Sequence, residues 1–197
     1  MPQDLFEMPI NLKEKFHVIY KLHQESVHNL TSITDENEFY LKHVVDSIYI
    51  FKIRDINFKT ALDVGSGGGF PGIALGLIYP ERKIYLVESI AKKCNFLEAL
   101  VKSLGLTNIH IINARVENLQ NPKCDLITSR GVTKVKNLIK WTENVSREAT
   151  IMLLYKGENI HDELKQASKL LKKKHMEYEN VRIEKPIKRT YTFIYRT

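Results

Sequence analysis

The sequence predicts an α/β fold: a doubly wound, mostly parallel sheet with an N-terminal helical cap and a terminal antiparallel hairpin. Three observations carry that prediction. From residue 59 onward, short apolar runs alternate with segments of helical periodicity, as strands joined by crossover helices do. A glycine-rich turn follows directly on the first of those runs, where a doubly wound sheet keeps its ligand loop. The last two strand-like runs have no helical segment between them, so they pair by turning back.

The elements follow in order. Residues 1–58 read as a cap of two helices. Leu12, Phe16, Ile19, His23, Val27 and Leu30 share one helical face, and Leu41, Val44, Val45, Ile48 and Phe51 share a second. Asp35 with Glu38 three residues on has the form of a capping box opening the second helix. In residues 59–197, strands are predicted at Thr60–Val64, Lys83–Glu88, Asn108–Asn113, Cys124–Ser129 and Thr150–Tyr155. Helices are predicted near 71–79, 90–104, 134–144 and 160–174. In the second of these Ile90, Cys94, Leu97, Val101 and Leu104 form one face, with Gly105 as the stop. Tyr178–Glu184 and Thr190–Arg196 form the hairpin, joined around Pro186.

Composition narrows the function classes. The chain has 197 residues, 43% hydrophobic and 27% charged, which suits one soluble domain with a short appendage. Its longest apolar stretch, Ile73 to Tyr79, is far shorter than the ~18 residues of a membrane span. The N-terminus lacks a cationic start and apolar core, so no secretory signal is expected. Cys94 and Cys124 form no CxxC or Cys/His cluster, which argues against a disulfide framework or a metal and for the reducing cytoplasm. The net charge of +7 is unevenly spread. Residues 1–58 hold six basic and nine acidic residues, whereas 59–197 hold 24 and 14. A basic domain points to a polyanionic partner, nucleic acid ahead of a membrane surface, against the plain alternative of a soluble basic surface. A monomer is expected.

The strongest local signal is Asp63-Val64-Gly65-Ser66-Gly67-Gly68-Gly69-Phe70-Pro71-Gly72. Such a turn lets a ligand approach the backbone and presents helix N–H groups to it. The dinucleotide pattern G-x-G-x-x-G would need glycine at 70, where Phe70 stands, and the Gly-Lys-Ser/Thr of a P-loop is missing. What fits is G-x-G-x-G at Gly65, Gly67 and Gly69, the form of motif I in class I, Rossmann-like methyltransferases that use S-adenosyl-L-methionine. Asp63 would then meet the cationic amino-acid end of the cofactor, directly or through water. Glu88 closes the second strand, where a carboxylate accepts from ribose hydroxyls, a role that also suits NAD. After the third strand, Val116 would pack on adenine while Glu117 meets the base edge; alone, Glu117 is an ordinary first-turn acid. Arg130 and Lys156 end the fourth and fifth strands, so both face the crevice beyond the carboxyl ends of the sheet. Two such cations suit a substrate phosphate or the cofactor carboxylate.

Over nearly its whole length the sequence resembles the RsmG (GidB) family of bacterial 16S rRNA 7-methylguanosine methyltransferases. The resemblance rests on Asn29-Leu30-Thr31-Ser32-Ile33, on His43-Val44-Val45-Asp46-Ser47, on the Gly-Phe-Pro-Gly end of the loop, and on Val116-Glu117, Ser129-Arg130 and Lys156-Gly157 in that order. It implies cofactor contacts at Gly65, Phe70, Val116, Glu117 and Arg130. Gly131 departs from the alanine usual after Ser-Arg, a small-for-small change. Asn29, His43 and Asp46 either shape the site or only cap and pack the two helices.

The implied chemistry agrees with what the sequence lacks. Guanine N7 bears no proton, so its methylation needs no general base. No Asn/Asp-Pro-Pro-aromatic tetrad of amine methyltransferases follows the fourth strand, and no Pro-Cys nucleophile for pyrimidine C5 is present. Arg130 and Lys156 would hold the target's phosphate or its O6/N7 edge. Lys165, Lys169 and Lys172 share a helix face opposite Ile160, Leu164, Ala167 and Leu171. Together with Lys173, Lys174, Arg182, Lys185, Lys188 and Arg189 they form the expected phosphate-binding surface for 16S rRNA or a small-subunit particle. Two rivals stand: a class I methyltransferase of another substrate, and a non-catalytic rRNA-binding assembly factor that keeps the loop as structure.

Overall fold

A computed structural model describes residues 9–27 and 30–197. Its seven-stranded sheet has the order β3-β2-β1-β4-β5-β7-β6. The strands are β1 (Thr60–Val64), β2 (Lys83–Glu88), β3 (Ile109–Asn113), β4 (Cys124–Arg130), β5 (Ser146–Lys156), β6 (Met176–Ile183) and β7 (Arg189–Arg196). β1 to β5 pair in parallel, and β7 runs antiparallel to both β5 and β6. Strand order reverses between β1 and β4, which opens a crevice beyond their carboxyl ends. The predicted fifth strand starts four residues earlier than its apolar run, because Ser146 also pairs with Cys124 across an irregularity in the ladder.

Crossover helices cover both faces of the sheet. On one side lie α4 (Gly72–Ile78), α5 (Ala91–Ser103) and the cap; on the other lie α6 (Val135–Trp141) and α7 (Ile160–Lys173). β1 shows how the sequence feeds both layers. Ala61 packs with Ile73 and Leu75 on the cap side, while its neighbour Leu62 packs with Ile127 and Leu138 on the other. Ile160, Leu164, Ala167 and Leu171 bury the inner stripe of α7, and Lys165, Lys169 and Lys172 stay exposed opposite them.

The cap consists of α1 (Ile10–Glu25) and a second helix in three parts: α2 (Glu36–Phe39), a π-helical turn at Tyr40–Val45, and α3 (Asp46–Ile53). The predicted first stripe holds at Phe16, Ile19 and His23 and fails at Val27, which is 91% exposed. The helix stops at Glu25 and Ser26 is extended, so Val27 leaves that face. Half of the capping box forms: Asp35 Oδ1 accepts the Glu38 N–H at 2.8 Å, while the Glu38 carboxylate pairs with Lys42. The π turn was not legible in the periodicity. It adds a residue to one turn and rotates the next, so Asp46 and Ser47 are buried beside Val44, Val45 and Ile48.

Cap and sheet share one apolar core, in which Phe16, Ile19 and Phe39 cluster with Phe70, Tyr155 and Tyr191. Polar ties align them. The Tyr155 hydroxyl donates to the Ser47 carbonyl at 2.7 Å and the Tyr191 hydroxyl to that of Asp46 at 2.9 Å. Arg54 at the end of the cap forks onto Glu179 of β6 and covers the Phe193 ring at 4.5 Å.

The seat of α4 is tight. A Cβ at Gly76 would stand 2.4 Å from Ile109 Cδ1 and 2.6 Å from its Cγ1. Alanine gains about 0.5–1 kcal/mol of helix propensity, but overpacking costs about 1–3 kcal/mol and wins. Gly76→Ala is expected to lower stability in urea unfolding by about 1 kcal/mol or more, and equal or higher stability would contradict this packing.

Candidate functional site

The site is built around the loop after β1. Gly65 and Gly67 have φ of +66° and +54°, a region in which side chains are strained. A Cβ at Gly65 would also lie 2.6 Å from Val132 Cγ2. Two buried acids brace the loop from below. Asp63, 1% exposed, accepts the Gly72 N–H at 3.2 Å on Oδ2 and the Thr128 hydroxyl at 2.8 Å on Oδ1. Burial pushes its carboxyl up to about 6, against the pull of those hydrogen bonds and of Arg130. Glu88 accepts the N–H of Gly67 at 3.0 Å on one oxygen and that of Ile90 at 2.9 Å on the other. Each acid keeps lone pairs beyond those it uses.

The cap grips the outside of the loop. Phe70 is buried there, stacked on His43 at 5.2 Å and edge-on to Phe39 at 5.8 Å. His23 places its Nε2 2.8 Å from the Gly68 carbonyl and its Nδ1 2.8 Å from that of Ile19. Burial lowers its pKa, so the ring is neutral and donates to one of the two at a time.

Two hollows meet at Val132. The first, about 190 Å³, is lined by Gly65, Ser89, Val116, Glu117, Val132 and Trp141. Val116 is buried, and Glu117 is partly buried and sits 3.6 Å from Arg115. The second, about 620 Å³, is lined by Arg130, Val132, Thr133, Lys156, Glu163 and Arg189 among others. Lys156 Nζ donates to Glu163 Oε2 and to the Thr133 carbonyl, both at 2.8 Å.

Arg130 is held by the cap. Its Nη1 donates to the Lys42 carbonyl at 3.0 Å and to Asp46 Oδ2 at 2.9 Å, and its Nη2 donates to His43 Nδ1 at 3.0 Å. Burial first, and then the nearby Arg130 charge, drives the His43 pKa down to about 3. The ring is therefore neutral, with Nδ1 as acceptor and the Nε2 proton facing Thr31 Oγ1 at 3.0 Å. Asp46 is fully buried and also takes Arg189: Nε to Oδ1 at 2.6 Å and Nη2 to Oδ2 at 2.8 Å.

The sequence-derived candidates thus divide by position. Gly65, Val116 and Glu117 line the first hollow, and Arg130 and Lys156 line the second. The side chains of Asp63, Phe70 and Glu88 brace the loop, and Gly67 offers its N–H to Glu88. His43 and Asp46 join the site through Arg130, whereas Asn29 lies outside the described residues. Sequence reading passed over Val132, Trp141 and Glu163, which carry no motif. Of the basic surface, Arg182 pairs with Glu184, Lys188 with Glu158 and Lys174 with Glu143. Burial pushes the Cys124 thiol up to about 12, so it is no nucleophile at neutral pH. Among the described residues no group of His, Cys, Asp and Glu could hold a metal, and no helix is long and apolar enough to cross a membrane.

Comparison with known proteins places this geometry. Residues 14–191 match the family model described as rRNA small subunit methyltransferase G. A ribosomal RNA small subunit methyltransferase G of Carboxydothermus hydrogenoformans is 37% identical over 177 residues, which cover 87% of this chain and 75% of that protein. Among solved structures, a putative S-adenosyl-L-methionine-dependent methyltransferase of Methanococcus maripaludis superposes with a TM-score of 0.63 at 15% identity, covering 98% of this chain and 96% of its own. A mutant of MtNAS in complex with S-adenosylmethionine gives 0.63 at 13% identity, covering 93% and 75%. At those identities the structures share the fold.

Asp63 makes the pH dependence testable. A buried acid whose pKa is raised from 3.8 binds its proton more tightly folded than unfolded. Its stabilising contribution is complete below the ordinary value and is lost as pH rises through about 6. Urea unfolding between pH 4 and pH 7 should show wild type losing stability relative to Asp63→Asn over that interval. Parallel curves for the two proteins would contradict the assignment.

Proposed function

The chain belongs to the rRNA small subunit methyltransferase G family, and from that membership we propose that it transfers a methyl group from S-adenosyl-L-methionine to N7 of a guanine in 16S ribosomal RNA. The observation that carries the reading is the pairing of a glycine-loop hollow with a second, cation-lined hollow across Val132. The first fits the nucleoside half of the cofactor. Its wall at Gly65 leaves no room for a side chain, Val116 and Trp141 offer apolar surface, and Glu117 supplies an acceptor at the rim. Asp63 and Glu88 hold the loop amides in place around it and put two carboxylates behind a ligand that carries positive charge. Bound there, S-adenosyl-L-methionine supplies the electrophilic methyl group.

The chain's own work is positioning. A guanine N7 lone pair has no proton to lose, so catalysis reduces to alignment and exclusion of water, effects able to supply about 7–11 kcal/mol. The residues at the second hollow suit that task. His43 is neutral with its Nδ1 occupied by Arg130, and Glu163 is bonded to Lys156, so neither stands ready as a base. Arg130 and Lys156 are held with their cationic ends at the hollow. The target guanine must be splayed from its helix, because the A-form major groove is too narrow to admit these side chains. The exposed lysines of α7 then meet the flanking phosphates. The protein acts in the cytoplasm as a monomer, on rRNA or a small-subunit particle.

The deciding experiment is transfer of labelled methyl to small-subunit particles from cells lacking this protein, with the modified base mapped. A single 7-methylguanine in 16S rRNA is expected. No transfer and no cofactor binding would favour the assembly-factor reading. Arg130→Ala and Lys156→Ala should each lower transfer by roughly a hundredfold with the fold retained by circular dichroism. Near wild-type rates in both would remove them from the site.

A further inference from the structure

Arg189 opens β7 and stands apart from the other basic residues of the C-terminal surface. Its neighbours Lys188 and Arg182 are exposed and paired with exposed glutamates. Arg189 is 22% exposed and fixed against a carboxylate that is wholly buried. Asp46 takes the Nε–H and one Nη2–H of its guanidinium, and the Lys156 carbonyl lies 3.5 Å from Nη1. Of the five guanidinium donors, one N–H on each Nη is then uncommitted among the described residues. Those two form a fork of the kind that matches phosphate and carboxylate oxygens.

Charge identifies what the fork takes. The charged residues that line the 620 Å³ hollow are Arg130, Lys134, Lys156 and Arg189 against Glu163 alone, while Asp46 and Asp63 lie buried behind them. That cationic lining calls for an anion. A guanine edge does not answer that call, since a donor on N7 would occupy the lone pair that must receive the methyl group. Position separates the two remaining anions. Arg189 lines the 620 Å³ hollow and also a 250 Å³ hollow beyond it, beside Arg182 and Lys188. It does not border the glycine-loop hollow. The geometry points to Arg189 as a bidentate ligand for a backbone phosphate of the RNA substrate, oriented by Asp46. This inference rests on the rRNA methyltransferase reading.

The test measures binding of the full chain to small-subunit particles over a range of salt, alongside methyl transfer and S-adenosyl-L-methionine affinity. Removing one phosphate contact makes the slope of log K against log salt shallower by about 0.7–0.9. Arg189→Ala is expected to show that change, to lower kcat/KM by roughly tenfold to a hundredfold, and to keep cofactor affinity. Arg189→Lys keeps the charge and should restore the slope, while the lost fork leaves transfer below wild type. An unchanged slope in Arg189→Ala overturns the phosphate contact, because a merely structural role does not alter counterion release. A loss of cofactor affinity also overturns it and gives the fork to the cofactor carboxylate. Failure of the wild type itself to methylate rRNA would refute the underlying reading, and this inference with it.

Discussion

The fully buried carboxylate of Asp46 is the constraint on which the site depends. Taking such a group out of water costs several kcal/mol, and an unpaired buried charge would not be tolerated. It is paired twice over, by Arg130 at the end of β4 and Arg189 at the start of β7. Those two strands flank β5, so one carboxylate from the helical cap draws together side chains from both sides of that strand. The tyrosine hydroxyls of β5 and β7, donating to the carbonyls of Ser47 and Asp46, fix the same helix to the same strands. The cap is therefore tied to the crevice, and the antiparallel hairpin places Arg189 beside it.

The glycine loop obeys a related logic. Its positive-φ glycines make it permissive, and an unbraced permissive loop would lose a ligand's geometry to chain entropy. Asp63 and Glu88 hold it through backbone amides, and His23 and Phe70 hold it through the cap. A ligand then meets a surface already set, the condition under which positioning alone can lower a barrier.

The parallel sheet, the crossover helices and the terminal hairpin were legible because each rests on local periodicity. Glycine spacing placed the loop, and strand ends placed Arg130 and Lys156, since topology alone puts those positions at the crevice. What was not legible came from tertiary packing. The π turn at Tyr40–Val45 rotates Asp46 inward, and no repeat of apolar residues announces it. Arg189 looked like one of several basic residues until Asp46 singled it out. Val132 and Trp141 line the first hollow without belonging to any motif. Asp63 and Glu88 were found by position, but the sequence gives no sign that their carboxylates hold loop amides.

A double-mutant cycle on Asp46 and Arg189, read as kcat/KM for methyl transfer to small-subunit particles, tests the central claim most directly. If Asp46 acts by holding Arg189, then Asp46→Asn costs less once Arg189→Ala is present, its remaining effect running through Arg130, and the coupling reaches about 1 kcal/mol or more. Losses that simply add would show the two residues acting independently and would contradict the account.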